Sequence, residues 1–182
     1  MTKDTDKLIA HYSATWGGAH EKRRWNRGPT NELGADFGIV RFEPTESRKM
    51  WTFATHGMTA PSGAPGLELH IVTRIASDAL VELLTVTAHF HRTGRALDLY
   101  HTVNFGRPWS PGSKCDHGFI TLPLLDGPAL EICDDPPKRC LWLVPVTAAE
   151  VAYKKIHGAG ALEDAFEAGA VDYLDPARAS CL

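Results

Sequence analysis

Apolar positions near the start of the chain recur at Leu8, Ile9, Tyr12 and Trp16. That spacing draws one stripe along a helix over residues 4 to 16, and Gly17-Gly18 ends it. Glu21 to Arg27, followed by Gly28-Pro29, is basic and turn-forming, and predicts an exposed connection. Two strand-like runs follow, Phe37 to Glu43 and Met50 to Gly57, separated by a polar stretch that suits a hairpin with a long loop. Thr59 to Gly66, with two prolines and two glycines, predicts a loop. Beyond it Leu67, Leu69 and Ile71 alternate with Glu68, His70 and Val72, which predicts a third strand.

Ser77-Asp78 then marks a helix start, and Leu80, Leu83, Leu84 and Thr87 share one face of the run from Ala79 to His91. Thr93-Gly94 predicts a left-handed cap for its C-terminus. Leu97 to Phe105 predicts a strand, and Phe119–Leu125, Asp126–Pro128 and Ala129–Cys133 read as strand, turn, strand. Cys140 to Val146 is apolar on both faces, as a central strand requires. Thr147-Ala-Ala-Glu150 matches a capping box at the start of a helix that runs to about His157 and stops at Gly158. Leu162 to Ala168 is a further short helix, and the tail from Asp172 is expected to dock through Tyr173 and Leu174. The order helix, strands, helix, strands, helices predicts an α+β domain, a mixed β-sheet with helices packed on it.

Composition narrows the function classes. The 182 residues are 43% hydrophobic and 23% charged, proportions of one globular domain with a real core. With 19 Lys and Arg against 22 Asp and Glu the formal charge is −3, so the chain offers no footprint for wrapping nucleic acid or coating an anionic membrane. A charged opening without an apolar stretch after it, and no run of about 18 apolar residues, predict a cytoplasmic protein without signal or membrane span. Cys115, Cys133, Cys140 and Cys181 contain no CxxC pair, so reduced thiols are expected.

Candidate chemistry concentrates in residues 101 to 118, HTVNFGRPWSPGSKCDHG. Three glycines and two prolines forbid a long helix, and Val103 and Phe105 can face inward from a short strand, leaving the polar groups on a loop beside a sheet. His56, His70, His101, Cys115, Asp116 and His117 are ligand types that suit zinc, but no pair has the HxxxH spacing of a helical site. Cys115 with His117 could make a nucleophile and base, although such pairs are assembled by folds and adjacency is weak evidence. No phosphate loop is present. Arg107-Pro108-Trp109 reads either as an interface anchor or as a loop staple, with Trp109 in the core and Arg107 paired to a carboxylate such as Asp116.

Blocks at Trp51–Met58, Glu68–His70, Val81–Val86, His101–Trp109, Cys115–Gly118, Leu122–Gly127, Trp142–Pro145, Ala149–Lys155 and Asp172–Pro176 resemble, in one order, the suppressor of fused family in its short bacterial form. The resemblance spans about residues 50 to 176. It implies a three-layer α/β/α arrangement, a single domain with helices on both faces of the mixed sheet, and a non-enzymatic role without a cofactor. Animal members restrain a transcription factor by binding it, and bacterial members include proposed immunity proteins against toxins. Two departures accompany the resemblance. The chain is too short for the second, C-terminal domain with which animal members grip their partner, and Leu99-Tyr100-His101 stands where they carry a Gly-Asp-His type sequence.

The expectation is a protein-binding domain that sequesters another protein or neutralises a toxin, with His101, Asn104, Arg107, Trp109, Asp116 and His117 as candidate partner contacts and no metal. Residues 1–45 are expected to form an N-terminal helix and variable lead-in, and 46–182 the suppressor of fused-like domain, one structural domain overall. The alternative is a metal-dependent or cysteine-based enzyme that uses the 101–118 loop with His56 or His70. A third possibility places partner specificity in residues 1–45.

Overall fold

The computed structural model describes residues 3–59 and 66–182; the loop expected from Thr59 to Gly66 therefore lies, apart from its end residues, outside them. The stripe of Leu8, Ile9, Tyr12 and Trp16 is buried on helix α1, Lys3–Trp16. Strands β1 (His20–Arg23), β2 (Gly38–Phe42), β3 (Trp51–His56) and β4 (Gly66–Thr73) follow, then helix α2 (Asp78–Thr93), strands β5 (Thr102–Asn104) and β6 (His117–Thr121), the short helix α3 (Pro128–Glu131), strands β7 (Ile132–Asp134) and β8 (Pro137–Val146), and helices α4 (Ala148–His157) and α5 (Ala159–Ala168). They form one sheet in the order β1-β2-β3-β4-β8-β6-β5, with β7 paired to β8. The central pair β4 and β8 is parallel and the remaining pairs are antiparallel, which makes the sheet mixed.

Helices cover both faces, so the central strands are buried on both sides, β4 along its whole length. Leu67, Leu69 and Ile71 of β4 and Leu141 and Leu143 of β8 pack with Leu80, Leu83 and Leu84 of α2. On the opposite face Val40, Phe42 and Cys140 meet α1, and Phe119, Trp142 and Val144 meet Val151 of α4 and Leu162 and Phe166 of α5. The α+β domain is thus a three-layer α/β/α arrangement. Its helix starts are locally encoded: Ser77 Oγ accepts from the Ala79 amide, and Thr147 and Glu150 form the reciprocal capping box that the sequence predicts. Among the described residues no helix is long and apolar enough to cross a membrane.

Several elements differ from the sequence expectation. Glu21 to Arg23, expected as part of an exposed connection, belong to an edge strand, His20–Arg23, in register with β2 from His20↔Phe42 to Arg23↔Ile39. Its side chains are largely solvated, so no apolar alternation marks it. Arg41 reaches Glu21 at 2.7 Å and Arg23 reaches Asp78 at 2.5 Å. The strand expected over Leu97–Phe105 is reduced to Thr102–Asn104, because Asp98 to His101 forms a turn with Tyr100 at φ 65°. The strand expected from Phe119 begins at His117 and ends at Thr121, where the Asp126 and Gly127 amides close a turn onto the Pro123 carbonyl. Pro128 at the first helical position makes Pro128–Glu131 helical, and strand returns only at Ile132. Gly94 caps α2 at φ −106°, outside the left-handed region, with its amide on the Phe90 carbonyl.

Candidate binding site

The sheet presents residues 101–118 as a short strand, a tight excursion and a return strand. Thr102↔Phe119, Val103↔Gly118 and Asn104↔His117 set the register. Gly118 is required by close packing, since a Cβ there would lie 2.6 Å from Leu143 and 3.2 Å from the Phe105 ring. The excursion is cross-braced by Phe105 N–H to the Asp116 carbonyl at 3.1 Å and Trp109 N–H to the Cys115 carbonyl at 2.7 Å. Gly106, at φ +64°, donates its amide to Asn104 Oδ1 at 2.8 Å and makes the first corner. Trp109 is 2% exposed and meets Phe105 edge-on at 5.4 Å, so it fastens the loop to the α2-side core.

Polar groups sit along the outside of this braced loop. Arg107 Nη2 donates to Glu82 of α2 at 2.6 Å, so its carboxylate partner is Glu82 and the expected pairing with Asp116 does not form. Asp116 holds His117 Nδ1 at 2.6 Å. His101 Nδ1 accepts from the Asp98 amide at 3.1 Å, and Asn104 is exposed. The structure therefore gathers all six candidate contact residues on one element, with Trp109 inside it and the others on its flanks.

A groove of about 530 Å³ opens beside the loop. Trp109 and Ser110 form one wall, Thr73 to Leu80 another, and Leu174 to Ala177 a third. The third wall is the chain's C-terminal segment, tied to the loop through Ser113 Oγ and the Pro176 carbonyl. It is fixed from below by Arg178, which grips Glu150 at 2.6 and 3.0 Å and the Pro145 carbonyl at 3.0 Å, while Glu150 also accepts from the Cys181 amide at 3.1 Å. Burial pushes the Glu150 carboxyl up, but the hydrogen bonds of Arg178 and Thr147 and the guanidinium charge outweigh it and hold the carboxyl below its ordinary range.

The chemistry of the enzymatic alternative is dispersed. Cys115 is fully buried in the α2-side core, and burial pushes its thiol up to about 11, which leaves no thiolate near neutral pH. His117, its nearest histidine in sequence, has Nδ1 on Asp116, as a base would, but among the described residues no hydrogen bond joins it to Cys115. His70 lies on the other side of the sheet, 5.3 Å from Trp16 and 6.4 Å from Trp142 between ring centroids. His56 Nδ1 is bonded to the Asp36 carbonyl at 2.9 Å. Among the described residues no group of three or more His, Cys, Asp or Glu is placed to hold a metal ion.

Sequence reasoning missed three paired charged groups, one buried and two partly buried. Glu68 is fully buried on β4 and accepts from Thr55 Oγ1 at 2.7 Å and from the Gly57 and Met58 amides, with Lys138 at 3.6 Å. Arg92 of α2 donates to the Met58 and Leu33 carbonyls at 3.0 and 2.6 Å. Arg48 joins Asp126 at 3.2 Å. Each pairing links residues far apart in sequence, and periodicity carries no signal for it.

Comparisons with known proteins agree with this architecture. A suppressor of fused homologue from Neisseria gonorrhoeae is 28% identical, with a TM-score of 0.85 over 98% of this chain and 96% of that one. A chain of a Sufu–Fu complex superposes with a TM-score of 0.69 at 12% identity, over 98% of this chain and 92% of that one. Drosophila Suppressor of Fused gives 0.68 at 13% identity, over 96% of this chain and 50% of that one, so this chain spans half its length. Among curated proteins none matches the sequence significantly. The family model of the suppressor of fused protein (SUFU) matches residues 35–179, and the chain belongs to that family.

Proposed function

We propose that the chain is a non-enzymatic protein-binding domain whose contact face is the 101–118 loop together with the groove beside it. The observation that carries this reading is the groove of about 530 Å³ between Trp109 and the C-terminal segment, bordered by a loop whose backbone is already braced. A preformed concave surface with polar groups at its margin loses little entropy on binding. Arg107 supplies the directional charge, His101, Asn104, Asp116 and His117 supply further polar contacts, and Trp109 keeps the wall in place. The related chain in the Sufu–Fu complex is, by its description, bound to another protein, which favours the same class of activity here.

The finer reading is an immunity-type role, in which this face covers the active site of a toxin. A bacterial two-hybrid screen against the products of neighbouring genes tests the proposal. One product is expected to interact with the wild-type chain and to lose the interaction with Arg107→Glu, while Lys22→Glu on the exposed edge strand β1 retains it. Absence of any protein partner, or a partner indifferent to Arg107→Glu and lost with Lys22→Glu, contradicts it.

A further inference from the structure

The outer surface of the α4–α5 layer carries two complementary features, on the opposite side of the sheet from the 101–118 loop core. The first is a projection. Ile156, near the end of α4, leaves 76% of its surface in water and is flanked by the exposed Lys155 and His157. The second is a groove of about 360 Å³ whose apolar lining comes from Phe166, Val171, Tyr173 and Leu124, with Asp164 and Glu167 at its margin. Both carboxylates are exposed and neither meets a cation among the described residues; Lys155 likewise meets no carboxylate there. The floor is firm, because Phe166 packs edge-on against Tyr173 at 5.9 Å and Tyr173 against Trp142 at 5.1 Å.

We infer that a second copy of this chain docks here, with Ile156 of each copy entering the groove of the other and Lys155 meeting Asp164 or Glu167. An apolar knob beside a positive charge and an apolar hole beside negative charge are complementary in shape and sign, and one molecule supplies both. Gly158 alone separates α4 from α5, and Val151, Leu162 and Phe166 pack on one cluster, so projection and groove belong to one helical layer. A two-fold axis between them makes the contact isologous and closed. The patch is small beside stable interfaces, which bury about 1,200 Å² or more, so the dimer is weak and salt-sensitive. It uses other side chains than the partner-binding face, although Val171 and Tyr173 of this groove run on directly into Leu174 to Ala177 of that one.

Sedimentation velocity on the full chain, from micromolar to millimolar concentration, tests the inference. Wild type is expected to pass from monomer to dimer, more readily at low salt. Ile156→Asp is expected to weaken association at least about tenfold, the size of effect of losing one buried apolar anchor. Lys155→Glu and Glu167→Lys are each expected to weaken it, and the two together to recover it. Near-ultraviolet circular dichroism and melting temperature establish that these surface variants remain folded. A chain monomeric throughout the range, a dimer indifferent to Ile156→Asp, or a double variant no tighter than either single one overturns the inference.

Discussion

His70 carries an aromatic environment and a titratable ring at once. It is 1% exposed, flanked by Trp16 and Trp142, with Nε2 3.8 Å from Asp126. Burial lowers its pKa to about 4, and the Asp126 carboxylate, which pulls the other way, does not offset it. A histidine in the unfolded chain titrates near 6.5, so between these values the unfolded state binds more protons than the folded one. The stability contributed by the neutral ring is complete above about pH 6.5 and is lost as the pH falls towards 4, by on the order of 3 kcal/mol. His70→Phe keeps a planar ring between the tryptophans and removes the proton site. Urea unfolding at pH 7.5 and 4.5 is expected to show a smaller loss for the variant than for wild type; equal losses contradict the assignment. Cys115 stands in contrast, since its burial within the loop's own core argues for packing over reaction.

At the scale of elements, the C-terminal segment shows how structure without regular hydrogen bonding is held. Arg178 enters beneath it, 7% exposed in its side chain, and pairs with a Glu150 that has no exposure of its own. Arg178→Ala leaves that carboxylate buried and unpaired, a cost of about 3–5 kcal/mol. Urea unfolding is expected to show that loss, and limited proteolysis faster cleavage after residue 172; a variant as stable and as resistant as wild type contradicts the clamp. Docking of the tail through Tyr173 and Leu174 was legible in the sequence, but the clamp was not, because Arg178 and Glu150 are 28 residues apart and share no local pattern. The capping box at Thr147 was legible, being complete within four residues, as were the doubly apolar β8 and the stripe of α1. Strand β1 was hidden because an edge strand with solvated side chains has no period-2 signal. The loop residues His101, Asn104, Arg107, Asp116 and His117 were recognisable as polar groups on a turn-rich segment, but the groove beside them was not. Its other walls come from residues 73–80 and 174–177, which only the fold brings together.

For the whole molecule, the mixed sheet divides two surfaces with different offers. The α2 side carries the braced loop, its polar flanks and two walls of the larger groove, whose third wall begins at Leu174, packed on the α4–α5 side. The other side, covered by α1, α4 and α5, carries the buried His70 cluster and the smaller groove with its acidic margin. Family membership accounts for the architecture, and the division explains how one small domain could hold a partner on one side and a second copy on the other. The central claim is that the partner meets the 101–118 loop and the groove next to it. Amide hydrogen exchange of the chain with and without its captured protein partner tests that most directly. Slowed exchange confined to residues 101–118, 73–80 and 172–178 is the predicted result; protection restricted to residues 3–45, with the loop unchanged, would contradict the account.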